Sequence, residues 1–97
     1  MENKGWRFLI VLILISFVLS GCYYFSAKKE IGNAEKLFSE LKGAGGEKQV
    51  PYEYCSAEKF LEAAKLEFSQ NDFWPSKGFA ERSKSAAQAG LAEIKKK

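Results

Sequence analysis

The sequence contains no histidine, a single aspartate and only two cysteines in 97 residues. Histidine is the commonest general base near neutral pH and the commonest metal ligand, so its absence argues against a catalytic or metal centre. The glycine-rich stretch 43–46 lacks the Lys-Ser/Thr of a phosphate-binding loop. We therefore expect no enzymatic activity, no cofactor and no metal.

An excess of one charge is also lacking. Fifteen Lys and Arg residues face twelve Asp and Glu residues, for a net charge of +3, and the two signs alternate along the chain. Nucleic-acid binding requires a clustered basic face, so a nucleic-acid partner is not expected. The basic run 95–97 is interpreted as a solvated helix end, where cations suit the helix dipole, or alternatively as a contact with anionic lipid.

The chain is short enough to hold only one domain. Its first 21 residues have the character of a targeting segment, which leaves a body of residues 22–97. A body of this size supports a small core, with about 3–5 kcal/mol of net stability. Such a core suits a helical hairpin or bundle better than an enzyme cleft.

The amino terminus has the organisation of a secretory signal peptide. A short basic segment with Lys4 and Arg7 precedes a run from Phe8 to Leu19 that is apolar except for Ser16. This arrangement is that of the n-region and h-region of a signal peptide. The sequence therefore predicts export of the body from the cytoplasm.

The apolar run ends in Leu19-Ser20-Gly21-Cys22. These residues resemble the lipobox of bacterial lipoproteins, which has an aliphatic residue, two small residues and an obligatory cysteine. The resemblance implies that the thiol of Cys22 receives a diacylglyceryl group and that residues 1–21 are then removed. Each acyl-chain methylene that is buried in the membrane contributes about 0.8 kcal/mol to binding, and two or more chains anchor a protein stably. Tyr23, in place of the aspartate that retains lipoproteins in the inner membrane, favours the outer membrane facing the periplasm.

An uncleaved single-pass anchor is the alternative. The segment from Phe8 to Ala27 has twenty residues without a charge, which is enough to cross about 30 Å of hydrocarbon. Trp6 at one end, with Tyr23 and Tyr24 at the other, resembles an interfacial aromatic belt. The Ser-Gly-Cys interruption, at the position of a cleavage site, favours the lipoprotein.

Beyond a short tether over residues 22–27, the sequence predicts a helical body over 28–97. Apolar residues at three- and four-residue spacing predict helices over about 28–42, 51–70 and 74–96. We expect an all-α fold: an antiparallel helical hairpin or a small three-helix bundle. The three apolar stripes comprise Ile31, Ala34, Leu37, Phe38 and Leu41; Tyr54, Ala57, Phe60, Leu61, Ala64 and Phe68; and Phe79, Ser83, Ala86, Ala87, Gly90, Leu91 and Ile94, with Ala80 flanking the third.

The breaks between these helices have distinct signals. Gly43 to Gly46 ends the first helix, because glycine tolerates a left-handed cap. Pro51 suits the first turn of the second helix. Asp72 is a good N-cap residue for the third, although Pro75 disfavours helical geometry at Trp74. The small residues in the third stripe predict close helix packing and modest stability.

Three further residues are candidates for contacts. Cys55 follows Tyr54 of the second stripe, so partial burial is expected; an intermolecular disulfide in an oxidising compartment is the alternative. Phe73 and Trp74 lie at the turn between the second and third helices. Their aromatic side chains either close the end of the bundle or contact a protein partner.

The body also resembles a known family. The matching residues are Pro51-Tyr52-Glu53-Tyr54, Ala57-Glu58, Leu61, Ala64, Asp72-Phe73 and the alanine-rich helix that follows. They are similar to a family of small alanine-rich helical envelope lipoproteins, known as a domain of unknown function, and to segments that precede OmpA-type domains in some lipoproteins. The resemblance covers about residues 31–91. Val50 replaces the usual alanine and Trp74-Pro75 alters the helix start. No OmpA-type domain follows, so the resemblance implies location and shape but no peptidoglycan binding.

Together these observations predict a lipid-anchored, non-enzymatic envelope lipoprotein with a structural or protein-interaction role. The partners expected are the membrane, through the lipid on Cys22, and an envelope protein of unknown identity. The alternatives are a TPR-like adaptor that binds peptides or proteins, and the single-pass membrane protein.

Overall fold

The computed structural model describes residues 2–97, and the side chains of all of these except Glu2, Asn3, Leu19 and Ser20. This part of the chain is all-α, as predicted, and it contains no strand. Helix α1 spans Glu2–Gly43, the short helix α2 Gly46–Gln49, α3 Pro51–Ser69 and α4 Phe73–Lys96. The molecule measures 71 × 21 × 15 Å, because the amino-terminal half of α1 extends beyond the bundle.

The carboxyl-terminal half of α1 packs with α3 and α4 into a three-helix bundle. The chain runs up along α1, down along α3 and up again along α4. The turn between α3 and α4 therefore lies at the same end as the middle of α1, where the rings of Tyr24, Phe68 and Phe73 meet. At the opposite end, Leu41 packs with Val50 and Ala87. Of the two predicted architectures, the bundle is the one that forms.

The buried residues of each helix alternate between three- and four-residue spacing. This heptad pattern keeps one seam of each helix facing its neighbours when helices cross at a small angle. The prediction of stripes on the first and second helices is confirmed. The residues on the three seams are Tyr24, Ala27, Ile31, Ala34, Phe38 and Leu41 on α1; Tyr54, Ala57, Leu61, Ala64 and Phe68 on α3; and Phe73, Ser76, Ala80, Ser83, Ala87, Gly90 and Ile94 on α4.

Two buried serines of α4 fix its register against α3. The Ser76 hydroxyl donates a hydrogen bond to the Ala64 carbonyl at 2.7 Å, and the Ser83 hydroxyl donates to the Ala57 carbonyl at 2.7 Å. The donors are seven residues apart on one helix and the acceptors seven apart on the other, in the reverse order. Such contacts require the two backbones to approach closely, so the predicted close packing of the small residues is confirmed.

The seam of α4 differs in detail from the predicted stripe. Ser76 and Ala80 are fully buried, whereas Phe79 is only partly buried at the edge of the core. Ser76 is absent from the predicted stripe because that stripe begins at Phe79, about one turn later. Its hydroxyl is buried without penalty because it finds a carbonyl partner.

The tether predicted over residues 22–27 is helical instead. Helix α1 runs without interruption through this segment, and Ala27 is fully buried. No proline interrupts the chain there, and Tyr24 and Ala27 continue the heptad seam backwards from Ile31. Because these two residues gain bundle contacts, the helical conformation is stabilised there.

Two of the three connections use a residue with positive φ. Gly45 has a φ of 82° between α1 and α2, as the glycine-rich break predicts, and Asn71 has a φ of 63° between α3 and α4. Asparagine is one of the few residues that tolerate this region. Pro51 begins α3 as predicted, and α4 begins at Phe73, so that Trp74 is helical despite the following Pro75. Helix α2 was not expected.

Candidate lipid-attachment site

Cys22 lies at the boundary between two different parts of α1. On its carboxyl-terminal side, Tyr24 is the first residue that packs in the bundle. On its amino-terminal side, the large apolar side chains between Phe8 and Val18 are all exposed. The thiol itself is free and exposed, so an acyl-transferring enzyme would not have to open the bundle to reach it.

The exposed apolar segment suits a lipid environment. The only polar side chain between Phe8 and Val18, Ser16, donates a hydrogen bond to the Leu12 carbonyl at 3.0 Å. No polar hydrogen of this segment is therefore left without a partner in hydrocarbon, where unsatisfied groups carry a large penalty. By length and composition α1 could cross a membrane, a property that amino-terminal signal sequences share.

The four lipobox-like residues, 19–22, lie on α1. Gly21 is half-buried and Cys22 is exposed on α1. The side chains of Leu19 and Ser20 lie outside the part of the chain that the structure describes. The lipobox-like residues are thus part of a continuous helix, immediately before the bundle.

The two aromatic residues proposed as partner contacts have different environments. The Phe73 ring lies 5.2 Å from that of Tyr24 and 5.3 Å from that of Phe68, so Phe73 closes this end of the bundle. Trp74 is 71% exposed. Tyr52 lies at the opposite end of α3 and is not their neighbour.

Beside Cys22, the structure brings together residues that are distant in sequence. Tyr23 lines a shallow cleft with the turn residues 71–75, including Trp74. Phe25, on another side of α1, is 69% exposed. Sequence reasoning missed this grouping, because nothing in the local pattern indicates that the α3–α4 turn returns to the level of Cys22.

The expectation that Cys55 is partly buried is wrong. Cys55 is exposed and free, near the beginning of α3. It follows Tyr54 in sequence but points away from the seam, because successive helical residues are rotated by about 100°. Since Cys22 lies at the other end of the bundle, the two thiols are too distant for an internal disulfide.

An ion pair joins α1 to α4 near the middle of the bundle. The Lys84 ammonium donates a hydrogen bond to the Glu30 carboxylate at 2.9 Å, and the Glu30 side chain is 15% exposed. The hydrogen bond from Lys84 lowers the pKa of Glu30 from its ordinary value of 4.5, against the opposing effect of burial. The pair therefore helps to hold the two helices together near neutral pH.

The charged groups near Cys22 carry both signs. Burial raises the pKa of Glu67, and its interaction with the Asp72 carboxyl raises it further. The Lys28 ammonium lies 6.0 Å from the centre of the Tyr24 ring. Within residues 2–97, with the exceptions noted above, no group of three or more His, Cys, Asp or Glu side chains could hold a metal ion.

A second cluster lies on the outer surface of α3 and α4. The rings of Phe60 and Phe79 stack with their centres 6.3 Å apart, and the Arg82 guanidinium lies 5.9 and 5.7 Å from those centres. Trp74, Phe79 and Arg82 line one cleft beside this cluster. The position of Arg82 over the two rings is not visible in the sequence, because it depends on how α3 and α4 pack.

Comparison of the chain with family models, curated proteins and solved structures found no match. The function is therefore argued from the residues and their geometry.

Proposed function

We propose that this protein is a lipid-anchored, non-enzymatic lipoprotein of the bacterial cell envelope with a structural or protein-interaction role. The observation that carries the proposal is the position of Cys22, at the end of a lipobox-like sequence and at the junction of the exposed apolar segment with the bundle. Removal of residues 1–21 and acylation of Cys22 would replace one hydrophobic anchor with another. The absence of Asp at position 23 favours the outer membrane.

The geometry of α1 favours this function over a single-pass anchor. Because Tyr24 and Ala27 are used by the bundle, the uncharged segment available to lipid is residues 8–23. Sixteen helical residues extend about 24 Å at 1.5 Å per residue, which is less than the roughly 30 Å of a typical hydrocarbon core. An uncleaved anchor would therefore pull the end of the bundle into the hydrocarbon core, whereas a diacylglyceryl group on Cys22 would not.

The test compares the two cysteines, since both are exposed. With the native leader present, we expect intact-mass spectrometry of wild-type protein and of Cys55→Ser to show loss of residues 1–21 and gain of a diacylglyceryl group. Cys22→Ser should retain residues 1–21 and carry no fatty acid. Mass is decisive here, because an unprocessed Cys22→Ser chain would still associate with membranes through its apolar segment.

The result that would contradict the proposal is wild-type protein at full-length mass, without fatty acid. The single-pass membrane protein would then be the better account.

A protein-binding adaptor is a second candidate, and the half-exposed stack of Phe60 and Phe79 beneath Arg82 favours it. Aromatic and arginine side chains are enriched in interaction hot spots. If this surface binds a partner, Arg82→Glu should reduce the recovery of a crosslinked neighbour, and Lys59→Glu, on an exposed site of α3, should not. Equal recovery of the same neighbour from both variants would argue against the adaptor.

A further inference from the structure

The distance in sequence between Cys22 and the bundle is very short. Tyr24 already contacts Phe68 and Phe73, and α1 is helical from Cys22 into the bundle. A lipid attached to Cys22 would therefore hold the bundle directly against the membrane, without a flexible spacer. This step rests on the proposed function.

The up-down-up order of the helices decides which end of the bundle faces the membrane. Because α3 runs back toward the middle of α1, the α3–α4 turn lies beside Cys22, and the opposite end carries Leu41 and Val50. Phe73 is in contact with Tyr24, so Trp74 in the first turn of α4 lies close to the level of Cys22.

This end carries three exposed aromatic side chains, Tyr23, Phe25 and Trp74, which we call the aromatic collar. They are 44%, 69% and 71% exposed, respectively. Tyr23 and Trp74 line the same shallow cleft with the turn, and Phe25 lies on another side of α1. Tyrosine and tryptophan are favoured at the headgroup level of membranes, where the ring is apolar and its polar group remains hydrated.

We infer that the aromatic collar docks in the headgroup layer of the membrane that holds the lipid anchor. The occupant of this surface is thus a phospholipid surface, and the bundle stands on it in a fixed orientation with α1 near the membrane normal. Continuity with the attachment site supports this choice of partner, since the collar and Cys22 lie at one level of the molecule. The opposite end, with Tyr52, is held away from the membrane.

Tryptophan fluorescence can test this inference, because the chain has two tryptophans and only Trp74 is in the body. The full chain carries Trp6→Phe and its native leader, so that Trp74 is the only indole whether or not residues 1–21 are removed. Its mass is determined, and it is reconstituted into neutral phosphatidylcholine vesicles with and without brominated acyl chains. Neutral lipid is used because the collar end contains Glu67 and Asp72 as well as lysines.

The matched control moves the indole to the other end of the bundle. Trp6→Phe, Tyr52→Trp and Trp74→Phe together place it at residue 52, where the native side chain is 79% exposed. We expect Trp74 to have blue-shifted emission, at least twofold stronger quenching by brominated lipid than the control, and weaker quenching by acrylamide.

Two outcomes separate the inference from the function on which it rests. Lipidated protein in which Trp74 is quenched by acrylamide as strongly as the control, and not by brominated lipid, would overturn the docking of the collar alone. A full-length mass without fatty acid would overturn the lipoprotein itself, whatever the emission of Trp74.

Discussion

At the scale of single residues, exposure separates neighbours that the sequence treats alike. Phe73 and Trp74 are adjacent aromatic residues, yet one is packed against Tyr24 and the other is exposed. Cys22 and Cys55 are both exposed, but only Cys22 follows a lipobox-like sequence. Residue type alone therefore assigns no role at these positions: the fold distinguishes the two aromatic residues, and the surrounding sequence distinguishes the two cysteines.

The first prediction concerns the two adjacent aromatics. Phe73→Ala should lower the free energy of unfolding by about 2 kcal/mol, because it removes a half-buried ring from the cluster at the bundle end. Trp74→Ala should change it by less than about 0.5 kcal/mol, since an exposed side chain away from the core contributes little. Urea unfolding followed by circular dichroism measures both, and equal losses would contradict the assignment of Phe73 as the closing residue.

The second prediction concerns pH. A lowered pKa of Glu30 in the folded state means that its ion pair with Lys84 stabilises the fold above the ordinary pKa of 4.5. The stabilisation is lost as the pH falls through the lower, folded-state pKa. Glu30→Gln should cost about 1–2 kcal/mol near pH 7, where a hydrogen bond to a charged group is lost, and the cost should shrink toward zero as the pH falls below the folded-state pKa.

The control for Glu30 is Glu35, whose ion pair with Lys65 at 3.1 Å is about half exposed. Glu35→Gln should cost less than about 0.5 kcal/mol, because exposed ion pairs contribute little. A Glu30→Gln deficit that does not change with pH would show that the lost contribution is packing and not charge.

At the scale of helices, the small residues of α4 determine how closely it approaches its neighbours. A Cβ atom added at Gly90 would lie 2.9 Å from the Leu41 Cδ1 atom and 3.2 Å from the Glu53 Cβ atom. One added at Gly78 would have no atom within 4 Å. The same residue type on the same helix thus has a packing role at one position and none at the other.

This contrast gives the third prediction. Gly78→Ala should raise the free energy of unfolding by about 0.5–1 kcal/mol, because alanine has the higher helix propensity. Gly90→Ala gains the same helix propensity, but its new Cβ atom would lie too close to Leu41 and Glu53, which must move away. It should therefore be at least about 1 kcal/mol less stable than Gly78→Ala. Chemical unfolding of the two variants checks this, and equal stabilisation would show that the gap at Gly90 is wider than the structure indicates.

At the scale of the whole molecule, the bundle and the amino-terminal apolar segment are separable. Tyr24 on α1 is the first seam residue along the chain. Both clusters of the core contain only residues from Ile31 onward. The apolar side chains from Phe8 to Val18 contribute no buried surface to the described core.

The fourth prediction follows from this separation. Residues 22–97 with Cys22→Ser should fold without the apolar segment, with strong helical circular dichroism and a cooperative thermal transition. Residues 31–97 should be less stable, because they lack Tyr24 and Ala27 at the end of the bundle and Glu30 of the ion pair with Lys84. If the longer fragment were unfolded and the full chain folded, the apolar segment would have a structural role that the packing does not show.

The sequence by itself determined the helical class, the end of α1, the approximate limits of α3 and α4, and the buried faces of α1 and α3. These follow from local periodicity and from proline and glycine at the breaks. Periodicity is local, so the sequence of a single helix indicates which of its faces is apolar. It does not indicate the register between helices, that is, which residues of another helix lie at the same level along the bundle.

Only the tertiary structure decided which residues of different helices lie side by side. The burial of Ser76 and Ala27 and the return of Trp74 to the side of Cys22 depend on how the helices pack and on the register between them. That register is set by interhelical contacts such as the hydrogen bond from Ser83 to Ala57, which join residues far apart in sequence. The collar beside the attachment site could therefore be recognised only once the three helices were packed.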